Sequence, residues 1–237
     1  MSAAPAEFPA DAVRYHASLA NRWEQRCQKL SFRMRESVLL KCLEGRDLAG
    51  TVWLDAGCGT GTLARWLATR GCSVLGVDAA SEMVAAAEAA KGQNCSDRLS
   101  FVQVETIAQL ALDDNLLDGI LCSSVLEYVP DPGACLTEFA RVLKPGGLLL
   151  VSIPNRNSVA RRTQLACHQL GVLLGRRWVK FLDYSRHQYS INEFEQLLMH
   201  AGFLGEKILP LGGPLPRLAG RSRHWAPLLM FVARKPA

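Results

Sequence analysis

Gly57, Gly59 and Gly61, in VWLDAGCGTGTLARWLATRG, follow a short apolar run and open a helical pattern. Glycines in a tight strand-to-helix turn remove the side chains that would hold a ligand away from backbone N–H groups. Asp78 lies 21 residues past Gly57, at the end of a second apolar run, SVLGVD. A carboxylate there can accept both hydroxyls of a ribose. A dinucleotide and a nucleoside both suit this spacing. A tight turn beside an incidental acid is the plainer reading, and having strand, turn, helix, strand and acid in register argues against it.

Asp55 bears on the choice between the two ligands. It precedes the glycines by two residues, where a negative charge would oppose a pyrophosphate seated on the helix N-terminus. The same carboxylate suits a ligand carrying an amino group and a sulfonium, which favours S-adenosylmethionine over NAD. Transfer of an activated methyl group needs an acceptor held in line and, for a hydroxyl, somewhere for its proton to go. Histidine titrates near neutrality. His187, in SRHQYS, is the candidate base, set against a structural role at the start of the next helix. His168, His200 and His224 read as solvent-facing or packing residues. The sequence has no HExxH, cysteine cluster or carboxylate array with metal-site spacing, so no metal is expected.

The elements that must position these residues follow from periodicity. VWLDAG, SVLGVD, SFVQVE, LLDGILCSS and GLLLVSIP read as strands, alternating with helical stretches from residue 52 to 153. Ser81 is a plausible N-cap for SEMVAAAEAAKG, and Pro145 with Gly146 should stop PGACLTEFARVLK. Two more candidate strands, EKILPL and PLLMFVA, close the chain after a helix at INEFEQLLMHAGF. The expected fold is α/β: a mostly parallel, seven-stranded Rossmann-like sheet with helices on both faces and a C-terminal antiparallel hairpin. Residues 11–44 are read as N-terminal cap helices, and 155–190 as a helical, lid-like insertion after the fifth strand, within one domain spanning 1–237.

With 237 residues and 49% hydrophobic content the chain can bury one substantial core. Eight cysteines lie scattered with no CxxC pair, and MSAAPAEFPA is polar and proline-broken rather than a secretory signal. Reduced thiols and a cytoplasmic location are therefore expected. No apolar run reaches the roughly 20 residues that span a bilayer.

LDAGCGTG resembles motif I of the class I S-adenosylmethionine-dependent methyltransferases, and GVDAASEMVAAA is similar to their second motif. SSVLEYVPDPGACLTEFARVLKPGGLLLVSIPN resembles the later stretch of the family. The similarity covers roughly 50–155 closely, with a looser likeness to ubiquinone-pathway O-methyltransferases. It implies S-adenosyl-L-methionine as cofactor and a small-molecule acceptor, with a hydroxyl or phenol oxygen favoured over nitrogen or carbon. Carried over, Gly57, Cys58, Gly59 and Gly61 form the cofactor loop and Asp55 holds the amino group directly or through water. Asp78 binds the ribose, Ala79 and Met83 line the adenine pocket, and Glu105 and Thr106 neighbour the adenine. Ser123 and Ser124 stand where cofactor and acceptor meet. Tyr128 occupies a place where close relatives commonly carry histidine, a departure that leaves it to orient an oxygen. Tyr15 and Trp23 fall on a segment resembling the cap folded over the cofactor, or simply pack that helix.

The insertion carries Arg156, Arg161, Arg162, Arg176, Arg177, Lys180 and Arg186 against one acid, Asp183. A solvated basic face is the plainest reading. A lid over an apolar or anionic acceptor is the next, and peripheral contact with anionic lipid the third. The net charge of +5, with Arg221 and Arg223 near the C-terminus, does not identify nucleic acid as a partner, and none is expected. Either a monomer or a homodimer is compatible with the chain. The competing readings are an NAD-dependent oxidoreductase and a regulatory protein that binds the cofactor without turnover.

Overall fold

The computed structural model describes residues 7–27, 30–92, 97–212 and 223–237. The apolar runs become strands: β1 (Val52–Ala56), β2 (Ser73–Asp78), β3 (Leu99–Gln103), β4 (Leu117–Ser123), β5 (Leu143–Pro154), β6 (Leu204–Leu211) and β7 (Leu228–Arg234). They form one sheet in the order β3-β2-β1-β4-β5-β7-β6. The first five strands are parallel, and β7 runs antiparallel to both β5 and β6. This is the mostly parallel, seven-stranded sheet with a C-terminal antiparallel hairpin expected from the sequence. The order reverses at β1, whose neighbours β2 and β4 lead away in opposite directions. Such a switch point opens a crevice at the carboxyl ends of the strands.

Helices α4 (Thr62–Ala68), α5 (Ser81–Ala89), α6 (Pro132–Val142) and α8 (Ile191–His200) cover the sheet. Two separate apolar clusters result, one holding Phe139, Phe194 and Phe231 and the other Leu39, Trp53, Leu67 and Phe101. Local chemistry fixes the helix ends. Asp131 caps α6 by accepting from Ala134 N, with Pro132 in the first turn, and Ser190 with Glu193 closes a capping box on α8. Two boundaries differ from the sequence reading. Ala80, not Ser81, is the N-cap residue of α5, and Ser81 Oγ turns to Glu82 instead. Helix α6 ends at Val142, before Lys144-Pro145, because a residue preceding proline disfavours the helical region. Leu143 is thereby released to pair with Leu117.

The N-terminal segment folds as α1 (Ala10–Ala17), α2 (Ala20–Cys27) and α3 (Leu30–Cys42). A small third core, Ala20, Ala80 and Met83 with Val13, Leu19 and Trp23, fastens this cap to α5. The insertion is α7 (Val159–Leu173) followed by a 3-10 turn at Lys180–Asp183. Its root is closed by an isolated bridge between Asn155 and Tyr189 and by Arg156 N donating to Tyr189 O at 3.0 Å. Cys42, Cys58, Cys72, Cys122 and Cys135 are buried free thiols, and Cys167 is free and exposed. Among the described residues no helix is long and apolar enough to cross a membrane.

Candidate active site

The glycine turn after β1 runs at positive φ: +75° at Gly57, +53° at Gly59 and +72° at Gly61. Two of the three glycines face a cavity of about 340 Å³ at the carboxyl ends of β1, β2 and β4, within the size range of small-molecule sites. A Cβ on Gly57 would stand 2.2 Å from Val125 Cγ2, and one on Gly59 would stand 3.4 Å from Trp23 Nε1. Gly61 and Cys58 turn elsewhere. Gly61 is the N-cap of α4 and packs on Phe101, while the Cys58 thiol lies in the apolar core, which raises its pKa.

Asp78, Ala79, Ala80 and Met83 form one wall of the cavity. The Asp78 carboxylate accepts from Gly59 N at 2.8 Å and from Ala80 N at 2.9 Å, so it ties the glycine turn to the start of α5. Burial raises its pKa against these hydrogen bonds. Asp55 sits at the end of β1, 2% exposed and outside the cavity lining. Its Oδ2 has no hydrogen-bond partner among the described residues. Burial, assisted by the charge of Asp78, pushes its pKa up to about 7. A buried carboxylate oxygen without a donor suits a ligand bearing an ammonium group, or a water that the ligand holds. The open glycine turn, the ribose-competent Asp78 and this carboxylate together fit S-adenosylmethionine.

The opposite part of the cavity is aromatic and basic. Tyr15, His16 and Trp23 reach in from the cap, Tyr128 from the loop after β4, and Phe181, Arg161 and Gln164 from the insertion. The rings of His16 and Tyr128 meet edge-on with centroids 4.7 Å apart. Tyr15 stacks on Tyr184 at 4.6 Å, joining cap to insertion. Burial, with the charge of Glu127, raises the Tyr128 pKa well above its ordinary value, so it is a neutral phenol at physiological pH. Ser123 ends β4 in this region and Ser124 follows it. Arg35, from α3, donates to Ser123 Oγ at 2.9 Å and to Ser124 Oγ at 3.1 Å.

A buried ion pair joins insertion to core. Arg161 Nη2 lies 3.3 Å from Glu127 Oε2, with both side chains 4% exposed or less. Ser185 Oγ donates to the same carboxylate oxygen at 2.6 Å and accepts from Arg161 Nη2 at 2.9 Å. The backbone carbonyl of Glu127 accepts from Arg186 N at 2.8 Å. Burial pushes the Glu127 pKa up in spite of these partners.

Several expected site residues lie outside the cavity lining. His187 has Nε2 3.0 Å from the Val129 carbonyl, to which it donates, and so supports the Tyr128 loop from behind. Glu105 is exposed, and Thr106 Oγ1 accepts from Ala108 N; their neighbour Ile107 is the residue of that stretch that reaches the cavity. Of the insertion's basic residues, Arg161 is buried, Arg156 pairs with Glu193 and Arg177 with Asp183. Arg162, in the first turn of α7, and Arg176, past its end, are exposed, as are Leu173, Leu174 and Trp178. Arg221 lies outside the described residues. His16, Arg35, Arg161 and Phe181 had no distinguishing signal in the sequence for a place in this cavity.

Comparison with known proteins identifies the family. A family described as a methyltransferase domain matches residues 54–151. The "Ubiquinone biosynthesis O-methyltransferase" of Psychrobacter arcticus is 32% identical over 196 residues, covering 80% of this chain and 73% of that protein. The protein of the same name from Xanthomonas oryzae is 37% identical over 147 residues, 61% of each chain. Among solved structures, magnesium protoporphyrin IX methyltransferase from Synechocystis, with bound S-adenosylhomocysteine, superposes with a TM-score of 0.68 at 18% identity, covering 95% of this chain and 99% of that one. An S-adenosylmethionine-dependent methyltransferase from Mesorhizobium loti gives 0.64 at 20% identity over 85% of this chain and 97% of that one. At these identities the structures speak to fold alone. The sequence relatives carry the family. The chain is therefore a class I S-adenosylmethionine-dependent methyltransferase.

Proposed function

We propose that the protein transfers a methyl group to a hydroxyl or phenol oxygen of a small-molecule acceptor held between the cap, the Tyr128 loop and the insertion. The observation that carries this is the aromatic half of the cavity, where Tyr15, His16, Tyr128 and Phe181 offer flat apolar walls with polar edges. The relatives named as O-methyltransferases support oxygen as the acceptor atom. In this reading Asp78 and the backbone of Gly57 and Gly59 hold the cofactor, with Ala79 and Met83 against its base and Asp55 near its amino group. When bound, the cofactor supplies an electrophilic methyl carbon on a sulfonium.

The chain's own task is to orient the acceptor oxygen and accept its proton. Tyr128, neutral at physiological pH, serves as a hydrogen-bonding group rather than a base. His16 is the histidine of the cavity lining, and we assign it the proton; His187 then acts by holding the Tyr128 loop. Incubation with isotope-labelled S-adenosylmethionine and a panel of phenols, read by mass spectrometry, should yield methyl ethers. His16→Asn should cut kcat by about 10²-fold or more while leaving S-adenosylhomocysteine affinity within about threefold. Methylated amines or carbon acids with no ether product would overturn the oxygen assignment. An unchanged kcat in the variant would remove His16 from it.

The position of Asp55 predicts a pH effect on cofactor binding. Its folded pKa is raised to about 7, so below that pH it is protonated and offers no charge to an ammonium. Binding must then release a proton, and affinity for S-adenosylhomocysteine should fall as pH drops through 7, by up to about tenfold per unit. Calorimetry in buffers of different ionisation enthalpy reads the proton directly. Asp55→Asn should flatten the profile, and a wild-type affinity independent of pH from about 5.5 to 8 would overturn this role.

A further inference from the structure

Arg35 crosses from the cap to the end of β4, and its guanidinium meets two hydroxyls side by side. One Nη donates to Ser123 Oγ and the other to Ser124 Oγ, at 2.9 and 3.1 Å. Two adjacent oxygens facing a guanidinium fork is the arrangement of a carboxylate, reproduced here by neutral groups. The serines are held firmly. Ser124 adopts φ +61°, uncommon for a residue other than glycine, and its N–H donates to Ser152 Oγ at 2.8 Å. Ser152 is 1% exposed and lies 3.4 and 3.3 Å from the Ser123 and Ser124 hydroxyl oxygens. Strain maintained at the edge of a cavity by a buried hydroxyl is characteristic of a ligand site.

The local charge has the matching sign. Arg35 and Arg161 stand against Glu127, whose carboxylate is engaged by Arg161 and Ser185. Among the described residues of this half, two arginines thus face one glutamate, in a largely apolar enclosure where charge is poorly screened.

We propose that Arg35, with Ser123 and Ser124, is a carboxylate subsite, so that the acceptor is a hydroxylated aromatic acid anchored there by its carboxylate. This rests on the small-molecule acceptor reading above and narrows its substrate class. The carboxylate oxygens accept from the Arg35 fork and from the serine hydroxyls, whose hydrogens turn to the ligand as the guanidinium transfers its bonds to it. Nothing covalent changes at this subsite. Arg35 is a specificity residue, acting on acceptor affinity rather than on the methyl group.

The test is a matched pair of probes, 3-hydroxybenzoate and phenol, titrated by calorimetry into the protein saturated with S-adenosylhomocysteine. The wild type should bind the carboxylated probe at least about tenfold more tightly, as expected for a bidentate, charge-assisted contact. Arg35→Gln should abolish that preference while phenol affinity changes less than about threefold. Arg35→Lys, which keeps the charge without the fork, should retain part of it. Unaltered S-adenosylhomocysteine affinity checks that the variants are folded. A wild type that does not favour the carboxylated probe overturns the proposal whatever the variants do. So do variants that lose both probes in equal proportion, since Arg35 would then be a strap between cap and sheet. Because the readout is binding, its outcome is independent of whether a methyl ether forms in the turnover assay.

Discussion

Asp78→Ala is expected to weaken S-adenosylhomocysteine binding by about 10²-fold or more, with the protein still folded. In the proposed site the substitution removes the acceptor assigned to the ribose hydroxyls and, with it, the partner of Gly59 N and Ala80 N. Charge-assisted hydrogen bonds contribute about 1.5–3 kcal/mol each, and every 1.4 kcal/mol is tenfold in affinity. The second loss is geometric. Without the carboxylate, the glycine turn and the first turn of α5 are no longer tied together, so the backbone must be ordered again on binding. Asp78→Asn should fall between wild type and alanine, since an amide oxygen still accepts one backbone N–H. Calorimetry with a far-ultraviolet spectrum for folding is the measurement. Affinity within threefold of wild type would remove Asp78 from the cofactor site.

Glu127→Ala should produce the largest loss of stability of any single change in the acceptor half. It leaves the guanidinium of Arg161 buried without its carboxylate, a situation that costs about 3–5 kcal/mol. For a chain of this length that corresponds to a midpoint lower by roughly 10 °C. The raised pKa of Glu127 carries a further implication, because it shows that the burial cost of its charge outweighs the attraction of its partners. The folded state therefore holds its proton more tightly than the unfolded chain does. As pH rises above the ordinary carboxylate range, stability falls until the folded-state pKa has been passed. The pair thus serves position more than stability. The double variant Glu127→Leu, Arg161→Met should recover most of the stability that the single alanine loses. Urea unfolding of wild type, Glu127→Leu, Arg161→Met and the double variant yields the coupling energy, and a double variant no more stable than Glu127→Ala would contradict this account.

Most of the fold could be read from the sequence because it is written locally. The five parallel strands are short apolar runs between turn residues, and the glycines and Asp78 are placed by strand ends rather than by tertiary detail. The acceptor half is different. Arg161 and Arg162 are neighbours with the same side chain, yet one is 2% exposed and the other faces solvent, since a helix turns about 100° per residue. Only the packing of α7 on Glu127 and Ser185 separates them. Arg35 and His16 are single polar residues on cap helices, and their cavity partners stand 88 and 112 positions further along the chain. The glycine motif likewise gives no sign that Cys58 and Gly61 turn toward the core. SRHQYS makes His187 the candidate base in sequence, but next to the short β-bridge at Tyr189 its ring meets the Val129 carbonyl instead of the cavity.

The bridge between Asn155 and Tyr189 sets the ends of the insertion side by side at the top of β5. A segment whose ends are already joined adds little closure cost when it lengthens, about 0.6 kcal/mol for each doubling. Evolution can therefore resize this segment, and so re-cut the proposed acceptor chamber, without disturbing the β1–β2 end proposed to hold the cofactor. What must persist through such drift is a cation at the place of Arg161, or the loss of Glu127 along with it. On the proposed reading, substrate range and cofactor chemistry are in this sense inherited separately within one chain, with the buried Arg161–Glu127 pair as the seam between them.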